Sequence, residues 1–235
     1  MYGNTKILGI IPARGGSKGI PHKNIYLLNG NPLISYTILS SLKSKRLSRV
    51  IVSTDSYKIA EVSRKFGADI PFMRPAELAT DDALAIDVIK HALQEMETRD
   101  RVRYDYVVML QPTTPLKKAT DIDQVVDKLI NTGCDTVVSM VDVGANHPAR
   151  MYTIEKDRLV SVIEEGITMR PRQELPYIYI RNGAVYACHR DVIFDHNTLI
   201  GPDCRPFVMP SERSVNIDDI SDVYLAEYYL KQSPK

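Results

Sequence analysis

The sequence predicts a single-domain α/β fold, a three-layer sandwich with a mostly parallel central sheet, on three observations. Short β-branched runs alternate with helical patterns through the first two-thirds of the chain. The first of these runs, K-I-L-G-I-I-P from Lys6 to Pro12, is apolar throughout, as in a strand covered on both faces. The length, 235 residues, suits one core with an excursion better than two full domains.

The elements follow in order. After the first strand, Pro32 sits where a helix begins, with Leu33, Tyr36, Thr37, Ser40 and Ser41 on one stripe, and Arg49 to Thr54 returns as a second strand. A helix is predicted from about Ser56 to Phe66, ended by Gly67. A short run from Asp69 to Met73 is expected to cross the sheet, and Asp81-Asp82 to open a long helix reaching about Glu97. Asp105 to Leu110 is the next buried strand. Gln111 to Leu116 holds two prolines and must be a loop at that strand's carboxyl end, where open α/β sheets bind ligands. A helix near Asp121 to Asn131 and a strand from Asp135 to Val141 complete the alternating part. From about 142 to 179 the rhythm stops, and Pro148, Pro171, Pro176 and short alternating runs read as an excursion of hairpins. Ile178 to Cys188 re-enters the sheet, and a helix from about Ile220 to Leu230 closes the chain.

The chemistry concentrates after the first strand, in I-I-P-A-R-G-G-S-K-G-I-P-H-K-N from Ile10 to Asn24. Gly15, Gly16 and Gly19 allow backbone conformations closed to other residues and let N–H groups approach a ligand, while Arg14, Lys18 and Lys23 offer charge-assisted contacts to phosphate oxygens. The order Ser17-Lys18-Gly19 is not that of a P-loop, and the glycine spacing is not that of a dinucleotide fingerprint. A polyphosphate is the ligand class this loop favours.

Composition narrows the rest. Lys+Arg 30 against Asp+Glu 29 leaves a net charge of +1, so no broad basic field attracts nucleic acid or an anionic membrane. Cys134, Cys188 and Cys204 are far apart and lack metal-ligand spacing, as expected of reduced thiols that fill the core of a cytoplasmic protein. No apolar run has the length of a membrane span. His22, His91, His147, His189 and His196 are scattered, and no serine sits in a nucleophile-elbow pattern. His147, before Pro148, is either a pocket-lining residue or a plain loop histidine.

The segment A-R-G-G-S-K-G-I-P-H-K-N, with N-G-N-P-L-I-S-Y-T-I from Asn29 to Ile38, resembles the signature of the acylneuraminate cytidylyltransferases, which activate sialic acid and related nine-carbon keto sugars with CTP. V-S-T-D at Val52, R-P-A-E-L-A-T-D at Arg74, L-Q-P-T-T-P-L at Leu110, P-R-Q-E-L-P at Pro171 and N-G-A-V-Y at Asn182 continue the likeness in the family's order. The resemblance implies a nucleotide-diphospho-sugar transferase-like sandwich over residues 1 to 235, with a protruding dimerisation arm at about 142–179. It also implies a cytoplasmic homodimer that makes a CMP-sugar and pyrophosphate from CTP and a sialic-type acid, with Mg²⁺. The same transfer onto legionaminic, pseudaminic or eight-carbon keto-deoxy acids, or a non-catalytic nucleotide-binding role, stands as the alternative.

The same resemblance assigns residues. Arg14 and Lys18 are expected at the α- and β-phosphates and Lys23 at the departing pyrophosphate, with Gly15, Gly16, Ser17, Asn24 and Arg74 completing the nucleotide site. Gln111, Arg181 and Asn182 are expected at the sugar, Arg172 and Gln173 either at its carboxylate or in placing the arm, and Arg170, Arg172 and Arg181 form an unusual local cluster of cations. Asp218 is the expected metal ligand, with Asn216 in the place of the family's first aspartate and Asp219 as a substitute. Many relatives place an arginine two residues before the Asn of N-G-A-x-Y, where this chain has Ile180, with Arg181 adjacent; a one-residue shift on a strand turns the side chain to the other face. Ala85 lies where some relatives carry a hydroxyl. Asp55 and Asp81 read as helix caps first and as site residues second.

Overall fold

The computed structural model describes residues 5–164, 166 and 171–232, with the side chain of Arg172 outside the description. Arg170 therefore also lies outside it.

The first strand, β1 (Ile7–Pro12), is buried along almost its whole length, which accounts for its unbroken apolar run. A tight hairpin, β2 (Leu27–Leu28) and β3 (Asn31–Pro32), turns on Asn29 and Gly30, both at positive φ. Then come α1 (Leu33–Leu42), β4 (Arg49–Ser53), α2 (Tyr57–Lys65), α3 (Ala85–Asp100) and β5 (Tyr106–Leu110). They are followed by α4 (Ala119–Thr132), β6 (Thr136–Asp142), the hairpin β7 (Tyr152–Glu155) and β8 (Arg158–Ser161), and β9 (Tyr179–His189). The chain ends with α5 (Arg190–Asp195), β10 (Cys204–Val208) and α6 (Ile220–Gln232).

Six strands make the central sheet in the order β10-β6-β9-β5-β1-β4. Only β9 runs antiparallel to its neighbours, β5 and β6. One face packs under α1, α2 and α4 through Ile34, Ile38, Ile59, Val125 and Leu129, and the other under α3 and α5 through Ile89, Leu93, Met96 and Ile193. Each fully buried side chain of this kind contributes roughly 1.5–3 kcal/mol of burial, so the two helical layers fix the sheet between them. A third cluster seats α6 against Ile20, Leu28, Leu116 and Ile217, drawing the C-terminal segment beside the loop that follows β1.

Three expectations change. Asp69 to Met73 is no strand; it touches the sheet through one bridge, Ile51 to Asp69. Asp81-Asp82 does not open α3, which starts at Ala85 without a side-chain cap. Cys204 is exposed, whereas Cys134 and Cys188 are buried as expected. The sheet also gains β10, whose Pro206 hides it in the sequence; at a sheet edge a missing N–H is tolerated.

The excursion carries β7 and β8 as an isolated two-stranded sheet. Its cross-strand pair Ile154 and Leu159 is 76% and 69% exposed, an apolar face with no second layer among the described residues. At its base His147 is buried: its Nδ1 accepts from the Ala149 N–H at 3.0 Å and its Nε2 lies 3.1 Å from the Pro176 carbonyl oxygen. This histidine clips the outgoing chain to the returning one. No described helix is long and apolar enough to cross a membrane.

Candidate active site

Strand order reverses around β1, because β4 lies on one side of it and β5 on the other. Ligands bind at the carboxyl ends of strands at such a point. A cavity of about 580 Å³ lies there, lined by Pro12 and Gln111 at the strand ends and by Arg14, Ser17, Lys18, Lys23, Asn24, Arg74 and Asp218. The structure thus brings together the nucleotide residues expected from sequence, apart from Gly15 and Gly16, which do not line it.

Gly15 and Gly19 act by close approach, whereas a Cβ on Gly16 would meet nothing within 4 Å. None of Gly15, Gly16 and Gly19 has positive φ, so the expected unusual backbone conformation is absent. Instead, a Cβ on Gly19 would fall 2.4 Å from the Asp218 carbonyl oxygen, and one on Gly15 would fall 3.1 Å from the Ser56 Cβ. The loop is pressed between β4's exit and the C-terminal segment. Asp55 fixes it by accepting from the Gly15 N–H at 2.9 Å, while Ser56, not Asp55, caps α2. Asn24, also buried, donates to the Arg14 carbonyl oxygen at 3.0 Å.

The cations are held by carboxylates. Asp81 receives Arg14 on one oxygen at 2.8 Å and Lys18 on the other at 3.0 Å, and these contacts hold its carboxyl below the usual range, Lys18 contributing most. Arg14 also donates to the Thr80 carbonyl oxygen at 2.9 Å. Asp81 is therefore a site residue rather than a cap. Lys23 donates to Asp218 at 3.0 Å and to the Ile217 carbonyl oxygen at 2.9 Å. Arg74 is buried and donates to the Ser53 carbonyl and hydroxyl oxygens, tying the loop after it to β4; burial pushes its guanidinium down to about 10, against the pull of Asp55.

A second cavity of about 590 Å³ adjoins the first, sharing Gln111 and Ala85 with it. Gln111, Arg181, Asn182 and Asn216 line it beside Ile180, Leu84 and Tyr186. The one-residue shift of the arginine has not removed it from the cavity, which Ile180 and Arg181 both line; beyond Arg181, β9 carries an irregularity opposite Val138 to Met140 and a left-handed Gly183 at φ 76°. Asn182 changes role. Its amide oxygen accepts from the Ser139 hydroxyl at 2.6 Å and the Ala184 N–H at 3.1 Å, and its nitrogen donates to the Ser214 hydroxyl at 2.9 Å and to the Met209 sulfur at 3.3 Å. With both ends of the amide engaged, Asn182 braces the cavity wall. Gln173 lies apart, in a third cavity with His147 and Tyr177, and the Arg172 side chain lies outside the described residues.

For a metal, Asp218 faces the first cavity and Asn216 the second, and the Asn216 amide donates to Asp218 at 2.7 Å. Asp219 faces neither; its oxygen accepts from Ser221 and Asp222 at the start of α6, and those bonds depress its pKa. Among the described residues no three His, Cys, Asp or Glu side chains gather as a metal cage. One carboxylate beside a phosphate site fits Mg²⁺, which is held by one or two carboxylates together with substrate phosphates.

One residue escapes the sequence motifs. Lys117, just beyond L-Q-P-T-T-P-L, is 3% exposed and donates to the carbonyl oxygens of Gln111 at 2.8 Å and Thr114 at 2.6 Å and to the Thr37 hydroxyl at 2.8 Å. Burial pushes its ammonium down to about 7, while Asp121 pulls the other way. In sequence its doublet with Lys118 looks like surface charge. The signal that marks it is the proline turn ahead, whose inward carbonyls need a donor.

The family profile described as cytidylyltransferase matches residues 8–197. The CMP-N,N'-diacetyllegionaminic acid synthase of Legionella pneumophila is 33% identical over 96% of this chain and 97% of its own. The N-acylneuraminate cytidylyltransferase of Escherichia coli is 34% identical over 94% of this chain and 51% of its own. Among solved structures, a CMP:2-keto-3-deoxy-manno-octonic acid synthetase complexed with CTP superposes with a TM-score of 0.71 over 97% of this chain and 99% of that one at 17% identity, a likeness of fold. On the profile, the relatives and a cationic cavity at the switch point of the sheet, this chain belongs to the cytidylyltransferase family.

Proposed function

We propose that the chain transfers the cytidylyl group of CTP to a nine-carbon keto-deoxy acid of the sialic type, releasing pyrophosphate. The observation that carries the reading is the pair of adjoining cavities, one holding Arg14 and Lys18 on a single carboxylate and the other holding Arg181, with Gln111 between them. A carboxylate gripped by two cations marks where these groups meet an oxyanion. The triphosphate fits the first cavity and the sugar acid the second, its carboxylate toward Arg181.

The anomeric hydroxyl oxygen forms the new bond to the α-phosphorus and gives up its proton to water, while the bond from that phosphorus to the oxygen bridging to the β-phosphorus breaks and pyrophosphate leaves. Such transfers depend on alignment and charge neutralisation more than on covalent help. Arg14 and Lys18 turn from Asp81 to the phosphates, and Lys23 receives the leaving pyrophosphate. Asp218, with the Asn216 amide oxygen, would hold Mg²⁺, whose contribution is further neutralisation of phosphate charge.

A legionaminic-type acid is the second reading. It is favoured by the 33% identical relative and by the apolar residues Leu84, Ile86, Ile180 and Leu199 in the second cavity, which suit acyl methyl groups. We further propose that the exposed face of β7 and β8 pairs with a second copy of the chain. The test is pyrophosphate release from CTP and Mg²⁺ with a panel of sialic, legionaminic, pseudaminic and eight-carbon keto acids. Turnover with a nine-carbon acid supports the reading; CTP binding without release from any acid makes the protein a nucleotide-binding one.

A further inference from the structure

Lys117 lines neither cavity, yet its ammonium joins the segments that build both. We propose that Lys117 is a positioning residue for the transfer, drawing the turn after β5 into the one shape that sets Gln111 between the cavities and the Asp218 segment beside Lys23. This rests on the cytidylyl-transfer reading above.

An ammonium has three donors and no acceptor, and here each donor meets one oxygen: Gln111 O and Thr114 O at the two ends of the turn, and Thr37 Oγ1 on α1. The same turn grips the neighbouring segments. The Thr114 hydroxyl donates to the Asn182 carbonyl oxygen at 3.0 Å, one residue from Arg181. The Thr113 carbonyl oxygen accepts from the Ile217 N–H at 2.7 Å, one residue from Asp218. The Gln111 Oε1 sits where a Cβ on Gly183 would come within 2.6 Å. A single buried cation thereby sets the mutual positions of the turn, the irregular part of β9 and the Asp218 segment. No carboxylate bonds it directly among the described residues; Asp121, whose charge favours the ammonium, is bound by Arg213 at 2.8 Å. Burying such a charge is costly, and apolar packing serves stability better. A turn that needs only to be stable has no use for it; a turn that must present Gln111 at a fixed place does.

The test compares Lys117→Met, Lys117→Arg and Thr37→Val with the native protein by steady-state kinetics on each substrate, CTP calorimetry and thermal unfolding. In Lys117→Met, kcat should fall about 10- to 100-fold while the Kd for CTP stays within about threefold, because displacement of a positioned group by an ångström costs rate before it costs phosphate binding. The KM for the sugar acid should rise through Gln111, and Lys117→Arg, which keeps the charge and the donors, should recover most of the turnover. A folded Lys117→Met protein with native kcat overturns the proposal. So does one whose CTP affinity falls as far as its kcat, the mark of a generally loosened site. If Lys117→Met does not fold, Thr37→Val decides, with kcat expected about 3- to 10-fold lower at unchanged CTP affinity and native kcat as the overturning result. A native protein that turns over no acid overturns the transfer reading and this proposal together, whereas an active native protein beside an equally active Lys117→Met overturns only the role of Lys117.

Discussion

Asp81 is the residue on which the proposed phosphate site balances, because its one carboxylate holds both Arg14 and Lys18. A triphosphate must take those cations from it. Asp81→Asn is expected to lower the Kd for CTP about threefold or more at low ionic strength, since the variant no longer offers a competing anion; calorimetry that shows weaker binding contradicts this role. Asp218 is the second balance point. Asp218→Ala should remove most Mg²⁺-dependent turnover, whereas Asn216→Asp should keep activity or tighten Mg²⁺ by adding a charged oxygen. Unchanged Mg²⁺ dependence in both variants argues against a metal site there. Arg14, Lys18 and Lys23 were legible in sequence because they fall within ten residues of one another behind a buried strand. Asp55 and Asp81 were not, because an acid ahead of a helix has the same local pattern whether it caps that helix or reaches a loop far back along the chain, at Gly15 for Asp55 and at Arg14 and Lys18 for Asp81. Lys117 was hidden for a related reason: its value lies in three acceptors, one of which, Thr37, sits 80 residues back along the chain.

Among the elements, β9 does the most to join the two cavities. Gly183 lets it bend at φ 76° beside Gln111, a conformation that costs other residues about 1–2 kcal/mol. Gly183→Ala should therefore lower stability by about that amount and raise the KM for the sugar acid roughly tenfold or more, with the Kd for CTP unchanged. A variant that loses CTP affinity instead places Gln111 on the nucleotide side. The alternating β and α elements were readable from periodicity because both faces of the sheet are covered, which forces unbroken apolar strands. Reading failed where burial is partial. Asp69 to Met73 has strand-like letters but only one bridge to β4, and β10 hides behind Pro206 and Arg205 at the sheet's edge. The irregularity in β9, which lies just beyond Arg181, has no signal in a simple alternation beyond Gly183 itself.

At the scale of the whole molecule, the hairpin of β7 and β8 leaves the sandwich with an apolar face that no other described residue covers, Ile154 and Leu159 foremost. Light scattering should find about twice 26.5 kDa, and Ile154→Asp with Leu159→Asp should return the protein to a monomer; a native monomer of full activity at the assay concentration contradicts an arm that pairs two copies. The central claim is broader and concerns which bond of the nucleotide breaks. The sandwich places a cation-lined cavity and a second cavity on either side of Gln111, and the proposed reading has the α-phosphorus joined to a second substrate between them. The direct measurement is to supply CTP labelled at the α-phosphorus, Mg²⁺ and a nine-carbon keto-deoxy acid and to follow the label. The account predicts that the label passes into a CMP-sugar in step with release of unlabelled pyrophosphate. Label found only in CTP, or in CMP with no sugar attached, contradicts it.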